Sequence, residues 1–381
     1  MEDIKMSEAY ANIFVHGYCG WGDKDRLTGL MPYFGGFHRP GIAQFLTENG
    51  YESYAPSAGP WNSAWDRACE LYAQIVGGTV DYGKVHSEKN GHARYGRTYE
   101  GYFKDWGEPG SHEKINLIGH SFGGPTISMF ADLLDRGSEE ERAATPADEL
   151  SPLFAGGNAH LVHSVTTISG TNNGTTLADA ARDLHVDKFV NWLMLSAANT
   201  LIKITGLTKF YDPRLDLWGD YVLEKCHACR LDNSLIAQST ALTAEFNETV
   251  GISDEIYYFA HPACKSHKIL ITPFHAMELK SFPLAHLGQL IIGWYGTPTL
   301  KRTLGVDKKW YQSDGIVNTL STMAPRNKPQ ETWTENTEVV PGKWYNMPIE
   351  HKDHFSWMGF FEKRSDYEKY FLDLCDFLAK L

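Results

Sequence analysis

Gly119-His120-Ser121-Phe122-Gly123-Gly124 decides the fold of this chain, because its Gly-x-Ser-x-Gly pattern reads as a nucleophile elbow. The run Ile115-Asn116-Leu117-Ile118 before it is strand-like, and Ile127-Ser128-Met129-Phe130-Ala131-Asp132-Leu133-Leu134 after it is helix-like. Strand, sharp turn and helix are the context the pattern needs. The turn forces Ser121 into a strained backbone conformation, and glycine at 119 and 123 removes Cβ atoms that would collide there. Pro125 suits the first turn of a helix, where amide hydrogens have no partner to lose. A glycine-rich turn of no catalytic use shares the bare pattern, so the rest of the chain has to decide.

Outward from the elbow, Ala11-Asn12-Ile13-Phe14-Val15 is a strand ending in His16-Gly17-Tyr18, and Tyr51 to Ala55 alternates weakly as a second. Residues 64–76 read as a helix stopped by Gly77-Gly78. A loop rich in Gly, His and Tyr is expected over 77–102, and a surface excursion from Glu139 to Gly157. Leu161 to Ile168 is a β-branched strand. Residues 175–205 form the longest helical pattern, Ile256 to Ala260 a further strand, then a long irregular stretch, and Tyr367 to Leu381 an amphipathic helix. Strands alternating with helices predict an α/β fold with a mainly parallel sheet.

The bulk numbers bound the function. With 42% hydrophobic and 22% charged residues, the 381-residue chain can bury a large core. The net charge of -12 argues against nucleic acid as a partner, since neutralising phosphates needs clustered Lys and Arg. No uncharged apolar run of about 18 residues appears, which argues against a transmembrane segment. Six cysteines are too few for a disulfide scaffold. Cys226-His227-Ala228-Cys229 has CxxC spacing without a second pair to complete a zinc knuckle. The N-terminus lacks an apolar signal core, so the expectation is a cytoplasmic chain or a mature secreted form carrying an initiator Met.

A serine nucleophile needs a base, and the base a carboxylate; in an elbow fold they follow in the order Ser, Asp or Glu, His. Ser313-Asp314-Gly315 places an acid in a turn, and Lys352-Asp353-His354 a histidine in a late loop. Ser121, Asp314 and His354 thus have the right order. Order alone also fits an Asx-turn aspartate and a surface histidine. His16-Gly17-Tyr18, after the first strand, suits an oxyanion hole in which the amides of Tyr18 and Phe122 donate; it also suits a simple tight turn. Asp66, His86 and His92 supply one carboxylate and two imidazoles, a donor set for Zn²⁺, although solvated loop histidines would share this spacing. The 175–205 helix, with Phe189, Trp192, Leu193, Met194 and Leu195 clustered, reads as a lid over an apolar cleft or as a buried helix.

Taken together, the chain resembles the thermoalkalophilic true lipases of bacilli, a zinc-containing α/β-hydrolase family related to the staphylococcal lipases. The resemblance runs through Val15 to Gly22, Gly59-Pro60 through Glu70, Val76 to Gly83, Gly91 to Tyr99 and the elbow. It continues in Gly174 to Leu177, Leu215 to Gly219, and Asp314 to Thr319. It implies a single α/β-hydrolase domain over 1–381, with a zinc-binding insertion at 60–105 and a helical lid region at 172–232. It implies a lipase cleaving acylglycerol esters at a lipid interface, with Ser121, Asp314 and His354 as triad. Tyr18 and Phe122 match the oxyanion amides, and Asp66, His86 and His92 match three ligands of a structural Zn²⁺. The family is mostly secreted. The rivals are a short-chain soluble carboxylesterase and a non-catalytic hydrolase-fold protein binding apolar ligands.

Three departures from the family stand out. Phe122 replaces the usual Gln after the serine, from which a different acyl pocket is expected. The fourth zinc ligand, an Asp in the family, aligns with Ala237, leaving Asp232 five residues earlier as the substitute, unless water fills the place. Ser356 and Phe361 occupy positions of the family's calcium-binding acids, so that calcium site is expected to be absent.

Overall fold

The computed structural model describes residues 9–25, 27–38, 40–108, 112–183, 233–272, 274–295 and 308–381. Its strands are β1 (Ala11–Val15), β2 (Ser53–Tyr54), β3 (Gly78–Asp81), β4 (Tyr95–Tyr99), β5 (Ile115–His120) and β6 (Val162–Ile168). They continue as β7 (Tyr257–His261), β8 (Ser266–Lys268), β9 (His275–Met277), β10 (Gln330–Thr332) and β11 (Trp344–Asn346). A seven-stranded sheet runs in the order β10-β11-β7-β6-β5-β1-β2, and every pairing in it is parallel. Strands covered on both faces read as continuous apolar runs, and all five residues of β1 are buried. Ile13 and Val15 enter the core cluster on one face, whereas Phe14 enters the other with Phe371, Leu374 and Leu378 of the C-terminal helix Arg364–Leu378.

Register places the site. Val15 pairs with Gly119, Gly119 with Thr167 and Ile168 with His261. The carboxyl ends of β1, β5, β6 and β7 therefore meet at one edge, where parallel α/β sheets present their ligands. The helix Ala64–Val76 begins at Ser63, whose hydroxyl accepts the Asp66 amide at 3.2 Å, and stops at Gly77 with φ of 87°.

Several expectations are corrected. The second strand shrinks to Ser53–Tyr54. The expected loop over 77–102 is an antiparallel ribbon of β3 and β4 enclosing the helix Lys84–Asn90, held by a two-pronged Arg94–Asp81 ion pair at 2.9 Å. The stretch after β7 contains the β8–β9 hairpin and the helix Pro283–Tyr295, and so is not irregular. The excursion near 139–157 is anchored inward by Glu141, Leu153 and Phe154, all buried. Of the 175–205 helix, Thr176–Asp183 is helical; Phe189, Trp192, Leu193, Met194 and Leu195 lie outside the described residues, as do Cys226 and Cys229.

Candidate active site

Ser121 sits between β5 and the helix Gly123–Arg136 with φ of 57°, the left-handed region that costs a non-glycine residue of order 1–3 kcal/mol. Glycine on either side makes this fit: a Cβ on Gly119 would lie 2.4 Å from the Gly123 carbonyl oxygen, and one on Gly123 2.2 Å from that of Val15. Cys19 and Ser169, also non-glycine, take left-handed φ of 56° and 44° in the flanking loops. Strain thus gathers around one side chain.

The loop after β1 packs directly on that serine. A Cβ on Gly17 would come 2.6 Å from Ser121 Cβ, so only glycine lets the backbone approach. The loop is fixed from both sides. The Gly17 amide donates to the Tyr33 hydroxyl at 3.0 Å, and the Cys19 amide to the Pro60 carbonyl at 2.9 Å. From below, the fully buried Arg67 donates to the carbonyls of His16 and Gly17. His16 accepts the Ala58 amide on Nε2 at 3.1 Å, so its proton sits on Nδ1. Burial, reinforced by the Arg67 charge, lowers its pKa to about 3. Phe122 is buried too, with its ring centre 5.5 Å from the Arg67 guanidinium carbon. The ring thus braces the arginine that holds the loop.

His354 Nδ1 and Asp314 Oδ2 lie 2.7 Å apart, with Asp314 fully buried. The other carboxylate oxygen of Asp314 accepts the amides of Ile316 and Val317 at 2.9 and 2.8 Å. Asp314 is thus at once an Asx-turn residue and the partner of His354. No hydrogen bond joins the Ser121 hydroxyl to His354; His354 instead meets the elbow through His120, with ring centres 4.6 Å apart. His120 accepts the Tyr33 hydroxyl on Nδ1 at 2.7 Å, and burial, then the neighbouring His354, hold its pKa well below the usual imidazole value. It stays neutral beside His354.

The histidine loop has an internal cation. Lys265 Nζ lies 3.1 Å from the buried Asp353 carboxylate, whose second oxygen accepts the Phe355 and Ser356 amides. The Lys265 amide donates to the Ser313 carbonyl at 3.2 Å. One residue therefore ties together the loops that carry Asp314 and His354. Sequence reading gave no role to Tyr33, Arg67, His120, Lys265 or Asp353, although Arg67, His120 and Asp353 each stood beside a residue already singled out.

Asp66, His86 and His92 converge with ligand atoms within 4.8 Å of one another. His86 Nε2 is 3.1 Å and His92 Nε2 3.8 Å from Asp66 Oδ1. Glu141 caps the helix bearing His86 by accepting the amides of Val85 and His86, and Trp65 stacks on the His86 ring. Two imidazoles and a carboxylate are a nitrogen–oxygen donor set that divalent transition metals take. Asp232 lies outside the described residues; Ala237 lies in the helix Ser234–Ala237.

A parallel sheet carrying a strained serine at this elbow, with a buried Asp–His pair alongside, defines the α/β-hydrolase class. Within it, the chain belongs to the lipase-like family: residues 8–381 match the family described as "Lipase-like, C-terminal domain". It is 33% identical over 365 residues to "Lipase 1" of Staphylococcus aureus strain MRSA252, covering 91% of this chain and 50% of that one. The chain thus spans about half the length of the curated relatives it matches. Among solved structures it is similar to EstA of Clostridium botulinum (35% identity, TM-score 0.81, covering 98% of this chain and 88% of that one). Lipase 1 of Pelosinus fermentans is similar too (34%, TM-score 0.79, 98% and 99%). So is the Staphylococcus hyicus lipase in fold (26%, TM-score 0.82, 100% and 97%). No described helix is long and apolar enough to cross a membrane.

Proposed function

We propose that this chain is a serine carboxylester hydrolase of the lipase kind, cleaving acylglycerol esters. The observation that carries the reading is the 2.7 Å contact between buried Asp314 and His354, set beside an elbow serine that packs on Gly17. Ser121 Oγ attacks the ester carbonyl carbon while His354 takes its proton; Asp314 fixes the imidazole tautomer and supports the imidazolium. The developing oxyanion is held by the amides of Tyr18 and Phe122, in a loop set by Tyr33 and Arg67. The alcohol leaves with the proton from His354. Water then enters, gives its proton to His354, and releases the fatty acid from Ser121.

The relatives named lipases support this assignment, and so does membership of the lipase-like family. We assign the metal group to a structural Zn²⁺ held by Asp66, His86 and His92, with Asp232 as the candidate fourth ligand. It would tether the 60–105 insertion and take no part in the chemistry. The 172–232 region is the lid in this reading, and secretion follows from the family's habit. The test is a chain-length series of p-nitrophenyl esters with and without an oil interface. A lipase gains on long acyl chains at the interface. An enzyme confined to short soluble esters shows no such gain, and the acylglycerol assignment then fails.

A further inference from the structure

The β8–β9 hairpin ends in a tip that water does not favour. Leu270 and Ile271 occupy the two central positions of its turn, where Asn, Asp and Gly normally supply the polar, left-handed residues. They are 88% and 100% exposed, and Leu270 itself takes a left-handed φ of 35°. The turn is nonetheless ordered: Thr272 donates both its amide (2.9 Å) and its hydroxyl (2.7 Å) to the Ile269 carbonyl, and the Ile269 amide donates to Phe274 at 2.9 Å. Beyond the hairpin, Leu279 is 97% exposed. Single exposed aliphatics need no explanation, but a hydrogen-bonded tip built of them does.

Charge distinguishes what such a tip meets. The protein carries a net charge of -12, yet between Glu255 and Glu278 there is no acidic residue, and exposed Lys268 and Lys280 flank the apolar positions. Apolar side chains fringed by lysine suit the boundary of a lipid surface, above all an anionic one. A second copy of the chain meeting this tip hairpin to hairpin would instead set lysine against lysine.

The hairpin is also fixed to the catalytic loops. Its base is tied by the Ser313 amide donating to Ser266 Oγ at 3.0 Å and by Lys265, which reaches Asp353 beside His354. The helix Pro283–Tyr295 joins hairpin to site: Gln289 donates to the His275 carbonyl at 3.3 Å, and a Cβ on Gly288 would come 2.0 Å from the Gly315 carbonyl oxygen. A tip held in lipid therefore keeps the Asp314–His354 pair at a set height above the surface. We infer that Leu270 and Ile271, with Ile269 and Phe274 behind them, are an interfacial anchor that docks this protein on the surface of its ester-lipid substrate. The inference rests on the lipase reading above but concerns residues other than the triad and the 172–232 region.

The test uses the full chain and a Leu270→Asp/Ile271→Asp variant, both positions being too exposed to serve the core. Partition onto phosphatidylcholine vesicles with and without phosphatidylglycerol is measured by co-sedimentation. Turnover is read on tributyrin emulsion and on monomeric p-nitrophenyl acetate. Expected are a roughly tenfold or greater loss of vesicle partition, largest on the anionic vesicles, and a parallel loss on emulsion. Soluble-ester turnover should stay within about twofold, since the chemistry is untouched. Unchanged partition overturns the anchor. So does an equal loss on emulsion and soluble ester, which would assign the tip to the fold, and so does a dimer-to-monomer change with lipid binding intact. A wild-type protein that hydrolyses no ester would sink the lipase reading instead, whatever the vesicles show.

Discussion

The Phe122 ring faces the Arg67 guanidinium at 5.5 Å, and that same guanidinium binds the two carbonyls that shape the His16–Gly17 turn. In the proposed mechanism the residue after the nucleophile would thus act on the oxyanion loop from beneath as well as through its own amide. A buried cation–π contact contributes about 0.5–2 kcal/mol. Phe122→Leu keeps the apolar bulk and removes the ring face. It should lower kcat on a soluble ester roughly 2- to 30-fold with KM little changed, because the loss falls on the transition state. A variant as fast as wild type would leave the ring without that role.

Lys265 and Asp353 form a buried ion pair next to His354. Removing one partner from such a pair costs about 3–5 kcal/mol, because the other charge is left buried. Lys265→Met should therefore be strongly destabilised in denaturant unfolding, and Lys265→Met/Asp353→Asn should recover most of the loss. With a lysine already serving Asp353, and Ser356 and Phe361 in place of acids, millimolar calcium should leave the wild-type Tm unchanged. A rise of several degrees would contradict this.

Buried histidines make the fold acid-sensitive. Burial lowers His16 to about 3 and both His163 and His261 to about 4, and it lowers His120 as well. Each stays neutral when folded but takes a proton near pH 6.5 when unfolded. Their stabilisation is complete above that pH and is lost as pH falls, by up to ~1.4 kcal/mol per histidine per pH unit. Burial raises Asp23 and Asp179 to about 6 and pushes Glu70 up as well; these act in the opposite sense at lower pH and offset part of the loss. Calorimetry should show Tm falling between pH 7 and pH 5, and a flat or rising Tm would refute the assignment.

The metal group predicts a chelator effect. Elemental analysis should find close to one zinc per chain, and less than about a tenth of an equivalent would count against it. A ligand held at a thousand times its Kd contributes about 4 kcal/mol, so EDTA should lower Tm by roughly 5 °C. His86→Ala should start from the lowered Tm and respond no further to EDTA.

What was legible in the sequence was local. β1 and the helix Ala64–Val76 have the bounds their patterns predict, because continuous burial, a Ser cap and a Gly stop are each written in a few adjacent residues. The order of Ser121, Asp314 and His354 was legible for the same reason. The β3–β4 ribbon was not: the three central residues of β4 are Gly96, Arg97 and Thr98, and the ribbon is held by Arg94 and Asp81, thirteen residues apart. Lys265 and Asp353 are 88 residues apart, and Tyr33 and His120 87 apart, so no local pattern could pair them. The bracing around the site is made of such distant contacts between polar groups, which hydrophobic periodicity does not register.

The most direct test of the central claim is turnover of monomeric p-nitrophenyl acetate by the wild-type chain and by Ser121→Ala, with folding checked by circular dichroism. Loss of the nucleophile from such a triad costs on the order of a millionfold in kcat. Expected is clear turnover by the wild type and none above background for the folded variant. Equal turnover by the two would contradict Ser121 as the nucleophile, and with it the mechanism built around the elbow.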